Sequence, residues 1–275
     1  MRRRNNIRHR LFRYWTGKFS KQSVNLTYNQ RDRHLQDMIA SILELMGKNV
    51  MIADLCCGAG NLLINICKNR RDAIGVGVDF SLSAIKLAVN RAKNENVRNM
   101  HFIVGDIEHL SLRYHTFDII LNTETIEHLA SRVEVLRAIA EMTQTLKVNG
   151  RIIISCPHLA SPLKLLLEIL RKPQYLTRYI KRIVAFFSTP EGFPITPNLN
   201  YSYGDEDASY APHVREIEYA LQDRFSIDFI CTFPRRGFLR VINSIPLINK
   251  LGPIIFLIAT RTRWKEKYGI KAIPA

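Results

Sequence analysis

Val50-Met51-Ile52-Ala53-Asp54-Leu55-Cys56-Cys57-Gly58-Ala59-Gly60-Asn61 decides how this chain folds. An apolar run closes on an acid, passes a turn with no bulky side chain at Gly58 or Gly60, and continues as a helical pattern. That pattern predicts a buried strand, a tight turn and a helix. Glycine in the turn allows positive φ and close approach of backbone to a ligand. The N-terminus of the next helix offers that ligand unpaired amides. Such a turn suits a nucleotide-like cofactor. A nicotinamide fingerprint needs a third small residue, G-x-G-x-x-G or G-x-G-x-x-A. Leu63 stands there instead. No G-x-x-x-x-G-K-[ST] occurs, which excludes a P-loop.

Asp54-Leu55-Cys56-Cys57-Gly58-Ala59-Gly60 resembles motif I of the class I S-adenosylmethionine (SAM) methyltransferases. That family usually has D/E-x-G-x-G-x-G. Cys56 departs from it at the first glycine, and the resulting D-x-C-C-G-x-G is similar to the quinone-biosynthesis methyltransferases.

Downstream, strands and helices alternate. Strand 50–54 leads to a helix over 61–68, and strand 73–79 to a helix over 83–92 capped by Ser81 or Ser83. Strands 101–104 and 117–122 follow, then a helix near 132–146 and a strand over 151–156 opened by Gly150. Repeated β-α units imply a parallel sheet covered on both faces. The resemblance sharpens this to a Rossmann-like class I methyltransferase fold, α/β, with a seven-stranded and mostly parallel sheet and a helical lid insert.

Ligands of open α/β sheets sit beyond the carboxyl ends of the strands. Asp54 ends the first strand, Asp79 the second and Asn122 the fourth, and Asp106 follows the third. Asp79 lies near the roughly 20-residue spacing at which an acid accepts from ribose hydroxyls. By the resemblance, Asp79 holds the ribose, Asp106 contacts the adenine amino group and Ile107 packs the ring. The Gly58–Gly60 turn approaches the methionine part. The donor's full shell is then Asp54, Cys56, Gly58, Gly60, Asp79, Phe80, Asp106, Ile107 and Asn122, with SAM as cofactor.

The segment from Phe117 to Leu129 resembles the F-D-x-x-x-x-x-E-x-x-E-H stretch of quinone-type, small-molecule methyltransferases. Enzymes that methylate base amino groups usually have [DN]-P-P-[YF] at Asn122, where this chain has Asn-Thr-Glu-Thr. Glu124 and His128 are the candidate catalytic groups, with His128 as base or orienter. Glu124, Glu127 and His128 are also possible ligands of a divalent ion. The alternative is that Glu127 and His128 brace the cofactor loop. Cys156-Pro157 reverses the Pro-Cys order of a cytosine-5 nucleophile. His158 and His213 either face the substrate or make structural contacts.

The pattern changes after Pro157. Residues 160–187 predict two helices split near Lys172-Pro173, and 188–211 read as a loop. A helix over 213–222 and strands over 225–232 and 254–260 complete the domain, with a basic, apolar connection over 234–252. The expected organisation is a basic arm (1–29), a methyltransferase domain (30–260) with an insert (157–211), and a basic tail (261–275).

Of 275 residues, 40 are Lys or Arg and 24 are Asp or Glu, a net charge of +16. Such a balance points to an anionic partner. In the insert, Leu176, Tyr179, Ile180, Ile183, Val184 and Phe187 share one helical face, with Arg178, Lys181 and Arg182 on another. Apolar faces flanked by cations fit a membrane interface. They also fit a lid on an apolar pocket, or RNA docking. An apolar lid implies a small, hydrophobic or lipid-linked acceptor, methylated on oxygen or carbon and possibly at an anionic membrane surface. RNA methylation and a non-catalytic docking module are the alternatives. The five cysteines lack zinc or disulfide spacing, which fits a reducing cytoplasm. No apolar run reaches the length needed to span a bilayer.

Overall fold

Seven strands form the main sheet: β1 (Met51–Leu55), β2 (Ile74–Asp79), β3 (Met100–Val104), β4 (Phe117–Thr123), β5 (Leu146–Pro157), β8 (Phe225–Cys231) and β9 (Ile254–Arg261). Their order is β3-β2-β1-β4-β5-β9-β8. Pairs β3/β2, β2/β1, β1/β4 and β4/β5 are parallel, and β9 runs antiparallel to both β5 and β8. The computed structural model describes residues 39–158, 161–171, 173–188, 191–194, 208–231 and 254–262. The expected arm over 1–29, the 234–252 connection and the tail beyond residue 262 lie outside the described residues.

Alternation along the strands divides the core. In β4 and β5, Ile119, Leu121 and Ile153 point to one face, while Phe117, Ile120, Ile152 and Ile154 point to the other. The first face is covered by α1 (Asn61–Asn69) and by residues 39–44, the described end of a helix, through Leu63, Ile64, Ile39 and Leu43. The second is covered by α3 (Arg132–Thr145) and α6 (Val214–Leu221). Both sides of the sheet are therefore buried, as the near-continuous apolar strands require.

Local chemistry fixes the helix starts. Ser81 caps α2 (Leu82–Asn94), its hydroxyl accepting from the Ala84 amide. Ser131 caps α3 in the same way, and Glu134 reaches back to the Ala130 amide at 2.7 Å, a variant of the capping box. In the insert, α4 (Pro162–Arg171) and α5 (Leu176–Ser188) are separated by a 3-10 turn at Pro173–Tyr175, since proline cannot continue a helix.

Three boundaries differ from expectation. β5 begins at Leu146, directly after α3, rather than at Arg151. Leu146 pairs with Phe117, the chain then bulges, and Arg151 resumes pairing opposite Ile119. Gly150 belongs to that bulge, where a Cβ would stand 2.9 Å from the Leu146 side chain and the Lys147 carbonyl. The expected loop 188–211 contains two short antiparallel strands, β6 (Phe193–Pro194) and β7 (Tyr210–Ala211). Arg261, expected to open the tail, ends β9 and donates to the carbonyls of Thr143 and Leu146.

Candidate cofactor crevice

Sheet growth reverses between β1 and β4: β2 and β3 lie to one side, β5, β9 and β8 to the other. A crevice opens beyond the carboxyl ends of strands at such a point. Asn122 stitches it, its Nδ2 donating to the Leu55 carbonyl at 2.9 Å. The Asn122 Oδ1 is buried without a hydrogen-bond partner among the described residues, as is the Oδ1 of Asn61, the first residue of α1. Unpartnered buried acceptors are costly, and a hydrogen-bond-donating ligand would satisfy them.

The glycine turn is pinned to the end of β2. The amides of Cys56 and Cys57 both donate to the Val78 carbonyl, at 2.7 and 3.0 Å. The Asp79 carboxylate then clasps the turn, its Oδ2 accepting from the Gly58 amide and its Oδ1 from the Ser81 amide, each at 2.9 Å. Cys56, Gly58 and Gly60 all have positive φ, at 66°, 53° and 73°. For Cys56 that left-handed backbone costs about 1 kcal/mol relative to glycine. Its thiol hydrogen-bonds the Thr125 hydroxyl, a partner that glycine could not have.

Gly60 has a packing role beside the one expected in the turn. A Cβ on Gly60 would lie 2.9 Å from the Phe102 ring, and one on Gly77 would lie 2.6 Å from it. One aromatic ring from β3 thus requires two glycines, so Gly60 serves packing as well as its turn. Gly60 also precedes α1 in the left-handed conformation with no side-chain cap, so the first amides of α1 have no capping side chain.

Asp54 is buried, and burial together with the Asp79 charge pushes its carboxyl up to about 7. Burial also raises Asp79, against the lowering by the Ser81 and Gly58 amides. Both shifts have the sign that a cationic ligand reverses. The Cys56 and Cys57 thiols are pushed well above their ordinary range, first by burial and then by these acids, so neither is a thiolate nucleophile. Asp106 follows β3, its Oδ1 accepting from the Glu108 amide at 2.9 Å. Ile107 is buried beside it, and Phe80 is half-buried between Asp79 and Ser81. Cys156 is a fully buried core residue in β5.

Glu124 leaves β4 with φ 54° and donates its amide to the Ser155 carbonyl at 2.8 Å. Glu127 and His128 lie in a 3-10 turn, Ile126–His128. Glu127 is buried with its Oε1 3.8 Å from His128 Nε2, and its carbonyl accepts from the Ser209 amide at 2.8 Å. Among the described residues, no three His, Cys, Asp or Glu side chains form a group suited to a metal ion, and Glu124, Glu127 and His128 do not make one.

The first turn of α6 grips both feet of the insert. His213 caps it, Nδ1 accepting from the Arg215 amide, and its ring meets that of His158 edge to face at 6.0 Å. Three residues on, Glu216 accepts from the Tyr210 hydroxyl at 2.8 Å, the Gly192 amide at 3.2 Å and Arg132 Nε at 3.0 Å. Arg132 also pairs with Glu191. His158 and His213 are thus both fully buried and structurally engaged. The Arg132, Tyr210 and Glu216 cluster was not foreseen, because its members are up to 84 residues apart and no spacing links them.

A family described as a methyltransferase domain matches residues 47–188, just over half of the chain. The chain belongs to this methyltransferase family. Among curated relatives, demethylmenaquinone methyltransferase of Lactococcus lactis is 24% identical over 149 residues, 52% of this chain and 55% of that protein. Ubiquinone biosynthesis O-methyltransferase of Coxiella burnetii is 29% identical over 142 residues, 52% of this chain and 56% of that protein. The chain spans about half the length of the curated relatives it matches. Among solved structures, the N-methyltransferase NodS of Bradyrhizobium japonicum, in complex with S-adenosyl-L-homocysteine, aligns with TM-score 0.58 at 11% identity, covering 92% of this chain and 99% of that one. Magnesium protoporphyrin IX methyltransferase of Synechocystis, also with that product bound, gives 0.55 at 19%, covering 94% and 97%. The chain therefore has the Rossmann-like class I methyltransferase fold.

Proposed function

We propose that this protein transfers the methyl group of SAM to an oxygen or carbon of a small, hydrophobic or lipid-linked acceptor. The observation that carries the donor half is the Asp79 clasp. Two backbone amides occupy one acceptor site on each Asp79 oxygen, and an ionised carboxylate has about four. The remainder suit the two ribose hydroxyls. Asp106 and Ile107 would serve the adenine edge and face. The unpartnered Asn122 and Asn61 oxygens suit donors on the methionine part, and Asp54 suits its cationic charge.

The donor supplies an already activated methyl group, so the protein's task is mainly to hold the acceptor in line. A phenolic acceptor must also lose a proton. We assign that to His128, which stands 3.8 Å from Glu127, with Glu124 as an orienting group. The acceptor class rests on the quinone-related names of the curated relatives.

Titration calorimetry with S-adenosyl-L-homocysteine tests the donor half. Binding by the unmodified protein and a loss of about 100-fold in Asp79→Ala are expected, since the turn loses its clasp and the ligand loses its acceptors. Absence of binding by the unmodified protein would end the proposal. Transfer of labelled methyl from SAM to a panel of prenylated phenols tests the acceptor half.

A further inference from the structure

The insert helices carry their apolar face outward. On α5, Leu176, Ile180, Val184 and Phe187 recur at helical spacing and are 44–58% exposed, while Tyr179 is 6% exposed on the inner side. On α4, Leu163, Leu166 and Leu170 recur in the same way and are exposed, Leu170 by 80%. Single exposed apolar residues are ordinary, but seven on one helical hairpin mark a contact surface. This finding divides the expected face: Tyr179 is buried and Ile183 half-buried, whereas Leu176, Ile180, Val184 and Phe187 are exposed.

Charge indicates the occupant. Residues 162–188 contain Lys164, Arg171, Lys172, Arg178, Lys181 and Arg182 against the single acid Glu168. Exposed Lys181 borders the apolar stripe of α5. A second copy would bring the same cationic hairpin against itself in a two-fold contact, within a chain of net charge +16. Nucleic acid prefers cationic grooves with aromatic platforms, not aliphatic ridges. Aliphatic side chains flanked by lysine and arginine match the acyl and headgroup layers of an anionic bilayer. Among the described residues, no helix is long and apolar enough to cross a membrane, so the contact is interfacial.

We propose that the outer face of the α4–α5 hairpin docks this protein on an anionic membrane surface. Leu163, Leu166, Leu170, Leu176, Ile180, Val184 and Phe187 enter the headgroup boundary, and Lys181, exposed beside the α5 stripe, meets lipid phosphates. The docking does not depend on the methyl-transfer reading. It would explain how a lipid-linked acceptor reaches the crevice.

Flotation of the full chain with vesicles tests it. Binding to mixed phosphatidylcholine–phosphatidylglycerol vesicles is expected, weakening with salt and with phosphatidylcholine alone. Ile180→Asp/Val184→Asp should bind these vesicles at least roughly tenfold more weakly. Tyr219→Asp, an exposed apolar position on α6, should leave binding unchanged. Both residues of the double variant are exposed, so its calorimetric affinity for S-adenosyl-L-homocysteine should match that of the unmodified protein. No flotation of the unmodified protein, or equal flotation of the double variant, would overturn the proposal. So would a dimer that the double substitution dissociates, or retention of an RNA oligonucleotide in place of vesicles. Flotation without homocysteine-derivative binding would leave the docking intact and remove the methyl-transfer reading instead.

Discussion

The crevice and the insert solve opposite problems. At the crevice, polar groups are buried and held in place by the fold: Asp79 by two amides, the Val78 carbonyl by two more, Asn122 Nδ2 by Leu55. On the outer face of the insert, apolar groups are exposed. The first region is pre-organised, so a ligand there finds its partners in place. The second is adaptable, because few internal contacts depend on which side chain occupies it. A substitution should therefore be expensive in one region and nearly silent for folding in the other.

The sharpest way to break this contrast is a matched pair of stability measurements. Gly60→Ala adds a side chain at φ 73° and 2.9 Å from the Phe102 ring. Backbone strain and overpacking together should cost about 3 kcal/mol. Val184→Asp, on the exposed face, should change stability by no more than about 0.5 kcal/mol. Urea unfolding of both reads the difference, and equal costs would refute the contrast.

The next effect is on pH. Asp54 keeps its proton in the folded protein up to about 7, far above its ordinary range, because it is buried near Asp79. The unfolded chain releases that proton earlier. The Asp54 contribution to the stability of the ligand-free protein should therefore be full below about 4 and be lost as pH rises through about 7. A cationic donor favours the ionised form, so its affinity should rise over the same interval, by up to about tenfold per pH unit below 7. Calorimetry in two buffers of different ionisation enthalpy would count the released proton. A flat affinity profile would mean that Asp54 does not sense the donor.

The smallest effect concerns Cys56. Cys56→Gly removes a strained left-handed residue but also the Thr125 contact and some rigidity of the unfolded chain. These oppose one another, so stability should move by less than about 1 kcal/mol. A larger loss would show that the thiol contact outweighs the strain.

How much of this could be read from residues follows from distance along the chain. The glycine turn, the acids at strand ends and the serine caps are local patterns, and their positions emerged from period and spacing. The helical hairpin was legible for the same reason, but its inward and outward faces were not. Periodicity states that a stripe exists, while its direction depends on what packs behind Tyr179. Phe102 as the reason for two glycines is a contact between strands, with no trace in a motif. Nor was there any cue that Gly150 lies in a bulge, since glycine punctuates bulges and strand starts alike.

The grip of α6 has a consequence for how this architecture diversifies. His213 and Glu216, one helical turn apart, take hold of His158 on one side and Gly192 on the other. In sequence, the α4–α5 hairpin lies between those two footholds. A different hairpin that begins and ends on the same pair would leave Asp79 and the glycine turn untouched. On the proposed reading, the choice of acceptor would then change by exchange of one module while the donor crevice stays the same.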